Sequence, residues 1–166
     1  NTPIVTMSRI SEMVGVETIA KLEYMNPTGS FKDRGSAIMI SALSRFNIKE
    51  IVEDSSGNAG ASISAYGAKA GIKTHIFTPS TTPLPKLNQI KIYGAVNHSI
   101  SGTRDETTDS ALRYASETGM PYASHNLSPY FIEGTKMNFA GLKKAADRAD
   151  IILWLRNQSD NPVPLP

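Results

Sequence analysis

The sequence predicts an α/β protein of three layers, a mostly parallel sheet with helices on both faces. Three observations carry this. Short apolar runs alternate with longer amphipathic or alanine-rich stretches about six times along the chain. Helical stretches in its middle stop at Gly71, Gly94 and Gly119, and glycine is the residue favoured just past a helix end. The 166 residues are 40% hydrophobic and 19% charged, which is enough apolar material for one well-formed core.

Taken in order, Thr18 to Tyr24 reads as a strand, and Asn26 to Gly29 as a turn punctuated by Asn-Pro and Gly. Lys32 to about Phe46 reads as a helix and Glu50 to Glu53 as a short strand. Asn58 to Ala70 is an alanine-rich helix, Lys73 to Thr78 a strand, Pro85 to Tyr93 a helix and Ala95 to Ile100 a strand. Thr103 with Glu106 three residues later matches a capping box and opens a helix to about Thr118. Tyr122 to Ser124 reads as a strand, Glu133 to about Ala149 as a helix and Ile151 to Trp154 as a last apolar strand. The tail holds three prolines in its final five residues and reads as extended. Ligands of such sheets sit beyond the carboxyl ends of the strands, so the strand-to-helix turns are where chemistry is expected.

Composition narrows the function. A formal charge of +2 with no block of like charges argues against a nucleic-acid or membrane surface. With no cysteine there is no disulfide or thiolate site. His98 and His125 have no partner at metal-ligand spacing, so no metal is expected, and His75 reads as a core or edge residue. Nothing approaches a membrane span or a signal-peptide layout, and a cytoplasmic protein is the expectation.

Two turns carry the chemistry. In "NPTGSFKDRG" Ser30 is placed to cap a helix, with Asp33 as its capping-box partner, which puts Lys32 at the second helical position. The field at a helix start disfavours an ammonium and favours the free amine that attacks a carbonyl. The bland reading is a solvated lysine on a helix end. In "SSGNAG", Ser55 to Gly60, glycines permit close backbone approach, and the free N–H groups of the next helix offer a site for a carboxylate or phosphate. The bland reading there is an ordinary capped turn. Parallel βαβ geometry puts both turns on one edge of the sheet.

"NPTGSFKDRG" followed by "SSGNAGAS" resembles the fold-type II pyridoxal-phosphate enzymes, the tryptophan-synthase-β group, and within it most resembles the threonine synthases. "NTPIVTMSRI", "TPSTTPLPKLNQIKIYGA" and "YFIEGTK" fit the same family, so the resemblance spans roughly residues 1 to 140. It implies pyridoxal 5′-phosphate as cofactor. Lys32 would be the Schiff-base lysine and proton shuttle, and Phe31 would lie close to the cofactor. Asn58 would bond the ring 3′-hydroxyl, and Ser55, Ser56, Gly57, Asn58 and Ala59 would cradle the substrate carboxylate. The substrate would be a small amino acid, and the full-length protein a homodimer.

The activity implied is conversion of O-phosphohomoserine to threonine and phosphate. The alternatives are a threonine or serine dehydratase, another β-elimination or replacement enzyme, or a non-catalytic fragment of one. Phe31 before the lysine and Ala59 after Asn58 favour the threonine-synthase reading. A second substrate anion would call for basic residues; Lys86, Lys91 and Arg104 qualify by charge alone and each reads first as a surface residue. A sugar or nucleotide binder lacks its fingerprint, since no G-x-G-x-x-G follows a strand. The family's Gly-rich phosphate loop has no counterpart in the sequence. The expectation is therefore an N-terminal part of the catalytic unit over residues 1–141, with a smaller substrate-side subdomain at about 36–125, and a helix, strand and Pro-rich tail over 142–166.

Overall fold

The computed structural model describes residues 2–135. The expected strand Ile151–Trp154, most of the helix expected from Glu133 to Ala149, and the tail lie outside the described residues. The described elements are β1 (Ile4–Thr6), α1 (Ser8–Val14), β2 (Ile19–Lys21), a 3-10 turn (Glu23–Met25), α2 (Lys32–Arg45), β3 (Glu50–Glu53), α3 (Asn58–Ala70), β4 (Lys73–Pro79), α4 (Leu84–Lys91), β5 (Val96–Ile100), α5 (Arg104–Thr118) and α6 (Pro129–Thr135).

The fold is α/β, with a parallel sheet in the order β3-β4-β5 and a separate antiparallel pair, β1-β2. Val52 faces His75, and Phe77 faces His98, across the parallel strands. On the other side of β3 the chain returns through a single parallel bridge between Val52 and Tyr122. β3 therefore has a neighbour on each side, and Ile51, Val52 and Glu53 are all buried. Side chains alternate across a strand, so its two faces meet different helices. Ile51 packs with Met39 and Ile40 of α2, Ala59 and Ile63 of α3 and Phe131 of α6. Val52 packs with Phe77 and with Ala111 and Ala115 of α5. That makes the three layers.

Local chemistry explains most boundaries. α3 and α5 end on Gly71 and Gly119, both left-handed with φ of 67° and 71°. The capping box at Thr103 and Glu106 forms with both of its bonds. α6 starts at Pro129, earlier than expected, because Ser128 and Pro129 are a helix-start pair.

Two expected strands are smaller than the sequence suggests. The stretch from Thr18 to Tyr24 keeps only Ile19–Lys21, paired with Ile4–Thr6 outside the parallel sheet. Glu23 ends it, because its carboxylate turns to Arg34, Thr2 and Asn26. Tyr122–Ser124 contributes one bridge, since Ser124 already turns the chain by accepting from the N–H groups of Asn126 and Ser128. β1 and α1 are additional to the expected elements, and α1 carries no buried residue.

Candidate active site

The lysine turn is built by Asn26, whose carbonyl accepts the Gly29 N–H at 2.8 Å and whose side chain bonds Glu23. α2 begins at Lys32 with Phe31 in the capping position and no side-chain cap. Lys32 is thus the first helical residue, not the second. Ser30 Oγ accepts the Lys32 N–H at 3.2 Å, but the expected Ser30–Asp33 capping box does not form. Asp33 is 1% exposed and turns inward. It accepts the Thr28 N–H at 2.7 Å, the Thr28 hydroxyl, and the Ser62 hydroxyl at 2.5 Å. A buried carboxylate needs that many donors, and the turn plus α3 supply them where the Ser30 N–H cannot.

The Lys32 amine lies against aromatic faces. Its Nζ is 4.9 Å from the Phe31 ring centroid and 5.8 Å from that of Phe131. Phe31 is 42% exposed, whereas Phe131 is 1% exposed. Phe131 reaches α2 because Gly35 leaves room: a Cβ at Gly35 would stand 2.7 Å from Phe131 Cδ1.

The second turn leaves the buried end of β3. Ser55 is 8% exposed and its Oγ accepts the Gly57 N–H at 3.3 Å. Gly57 caps α3 with extended backbone, no side chain caps that helix start, and a Cβ at Gly57 would meet nothing within 4 Å. Ser56 and Gly57 are half-buried, Asn58 is exposed and Ala59 is buried in the core. Gly60 is demanded by close approach, since a Cβ there would strike the Ser55 carbonyl. The result is an open helix start with free N–H groups, a place for an anion.

Asp33 and Ser62 join the two turns. Asp33 follows the lysine, and Ser62 lies one turn beyond Asn58. Ser62 also meets the Ser36 hydroxyl at 2.7 Å. This clasp fixes the amine-bearing start of α2 relative to the open start of α3. Sequence reasoning missed it; the available signal was Ser62, a hydroxyl inside an alanine-rich helix whose centre is mostly buried apolar residues. Arg34 stands out in the sequence only as a charge flanking Lys32; its partners could not be read there, and it grips Glu23 through Nε and Nη2 at 2.8 Å each and reaches the Thr2 hydroxyl. The guanidinium pulls Glu23 from 4.5 to about 2.

The other charged candidates are placed as follows. Arg104 is paired with the buried Asp54 at 2.8 Å, and Asp54 also accepts from Thr108 and Tyr122. Burial, then the bond to Asp54, pushes the Tyr122 phenol up. Lys86 and Lys91 are exposed on α4. His75 is 4% exposed and bonds both Glu50 at 2.9 Å and His98 at 3.1 Å. Burial holds the His98 imidazole below its ordinary value. Glu53, fully buried, holds His125.

The family's sequence model, described as "Pyridoxal-phosphate dependent enzyme", matches residues 1–148. The chain belongs to the pyridoxal-phosphate-dependent enzymes. It is 34% identical over 154 residues to a threonine synthase of Halalkalibacterium halodurans, covering 92% of this chain and 43% of that protein. Maize serine racemase superposes with a TM-score of 0.75 at 30% identity, covering 80% of this chain and 41% of that one. The threonine deaminase of T.th. superposes at 0.71 with 28% identity, over 80% and 42%. The chain thus spans about two fifths of the length of these relatives. Membership brings pyridoxal phosphate as the cofactor. The donor set fits that group: one primary amine against aromatic faces, and an open helix start for an anion, clasped together. Among the described residues no helix is long and apolar enough to cross a membrane.

Proposed function

We propose that the chain forms part of a pyridoxal-phosphate-dependent lyase that eliminates or replaces the β-substituent of a small amino acid. The observation that carries this is the clasp between the Lys32 helix start and the open start of α3. An enzyme acting on an amino acid through an aldehyde cofactor needs an amine and a carboxylate site at fixed separation. Lys32 supplies the amine that carries the cofactor, and afterwards holds and moves the proton at the substrate Cα. Phe31 would lie close to the cofactor, and Asn58 would offer its amide to the ring hydroxyl. The backbone N–H groups from Ser55 through Ala59, with the Ser55 and Ser56 hydroxyls, bind and orient the carboxylate. When bound, the cofactor supplies the electron sink for the substrate carbanion.

Reduction with borohydride in the presence of pyridoxal phosphate tests this. We expect the label on Lys32 in peptide maps, and its loss in Lys32→Ala. A label spread evenly over the lysines would defeat the reading. The threonine-synthase reading, in which the phosphate leaves the γ-carbon and water adds at the β-carbon, is the competing one, supported by the 34% identity to a threonine synthase. Spectra of the full-length protein with O-phosphohomoserine, serine and threonine distinguish it from a dehydratase, because only the true substrate should give a lasting change in absorbance and a product.

A further inference from the structure

Glu53 ends β3 with no exposed surface, two residues before Ser55, and the function proposed above makes no use of it. Both of its oxygens go to one residue. Oε1 meets His125 Nδ1 at 2.5 Å, and Oε2 accepts the His125 backbone N–H at 3.2 Å. Burying a carboxylate is costly, and that burial pushes the Glu53 carboxyl up. An apolar residue would fill the end of a core strand at lower cost. What the pair secures is the ring: a carboxylate on one nitrogen fixes the orientation of an imidazole.

The fixed ring stands edge-on to Phe131, with centroids 5.9 Å apart and planes at 69°. This is the favoured aromatic arrangement. Phe131 is in turn the buried one of the two rings against which the Lys32 amine lies. Gly35 and Gly134 let α6 approach α2 closely enough to bring it there, since a Cβ at Gly134 would stand 2.8 Å from Gly35 Cα. The other ring, Phe31, is half-exposed. A continuous path of contacts thus runs from the end of β3 to the reactive amine.

We propose that Glu53 and His125 are positioning residues for the Lys32 amine, acting through the Phe131 ring. The proposal rests on the reading of Lys32 as the cofactor-bearing lysine, but its geometry can be tested without cofactor. Protons held over an aromatic face resonate upfield. In the full chain, the Lys32 ε-methylene should be shifted upfield, with cross-relaxation from Phe131 to both Lys32 and the His125 ring. The variant Phe131→Leu should reduce the shift to the part that the Phe31 ring supplies. His125→Asn keeps a donor for Glu53 but lacks the ring, so it should hold most of the melting temperature while moving the Lys32 resonance toward that of a free lysine. Glu53→Gln should move it in the same direction. Trapping of pyridoxal phosphate and of unphosphorylated pyridoxal at Lys32 should slow several-fold in all three. The wild-type spectrum needs no variant to fold: absence of either cross-relaxation contact overturns the proposal. So does an unchanged Lys32 resonance in His125→Asn or Phe131→Leu, or a resonance that merely follows loss of stability. If the geometry holds but wild-type Lys32 takes no label, the cofactor reading fails while the positioning stands.

Discussion

Asp33 carries opposite implications before and after folding. As a sequence position it looks like the partner of Ser30 in a local helix cap. In the structure it is a buried acceptor for Thr28 and Ser62, residues on either side of the site. Spacing fixes local bonds, but a side chain that can turn inward takes whichever donors the packed core offers. Arg34 and Glu23 give the residue scale its pH test. The pair holds the Glu23 carboxyl far below its unfolded value of 4.5, at about 2. A depressed carboxylate contributes stability that is present above its unfolded value and lost as pH falls toward its folded one. Wild-type protein should therefore lose stability between about pH 4.5 and 2 from this pair. Arg34→Met should be less stable near neutrality and flatter across that window in urea titrations. Parallel curves for the two proteins would contradict the assignment.

Elements followed the sequence where one short-range rule decided them. The strand Glu50–Glu53 and the helix Asn58–Ala70 are found at their expected boundaries, and the Thr103 capping box forms. Thr103→Ala should cost about 1 kcal/mol in denaturant unfolding. Gly60→Ala should cost more, although alanine is the better helix former, because the added methyl must displace the Ser55 carbonyl and with it the anion turn. If Gly60→Ala proves neutral or stabilising, the turn is not held by that contact. Elements departed from expectation where pairing or packing decided. β2 shortens because Glu23 is claimed by Arg34, and Tyr122 supplies only a bridge because Ser124 turns the chain.

Across the described residues, burial is unevenly distributed. β3 and most of β4 are buried, whereas β1 is exposed throughout and α1 has no buried residue. Ile4, Met13, Val16 and Ile19 are each more than half exposed. Local opening free energy follows buried apolar contact, so amide exchange should be slowest in β3 and β4 and fastest in β1, α1 and β2. Comparable protection in both regions would mean that the β1–β2 pair is stabilised by contacts beyond those described.

By itself the sequence determined the α/β class, the positions of Lys32 and the Ser55–Gly60 turn, and the family resemblance, because each depends on residues close together in the chain. Turn glycines, caps and apolar runs act over a few residues and can be read from their order. Only the tertiary structure decided what surrounds the lysine. Ser62 is 29 residues from Asp33, and His125 is 72 from Glu53. Those pairs exist because the sheet and the α2–α3 and α2–α6 packing bring distant donors to carboxylates that burial leaves in need of them.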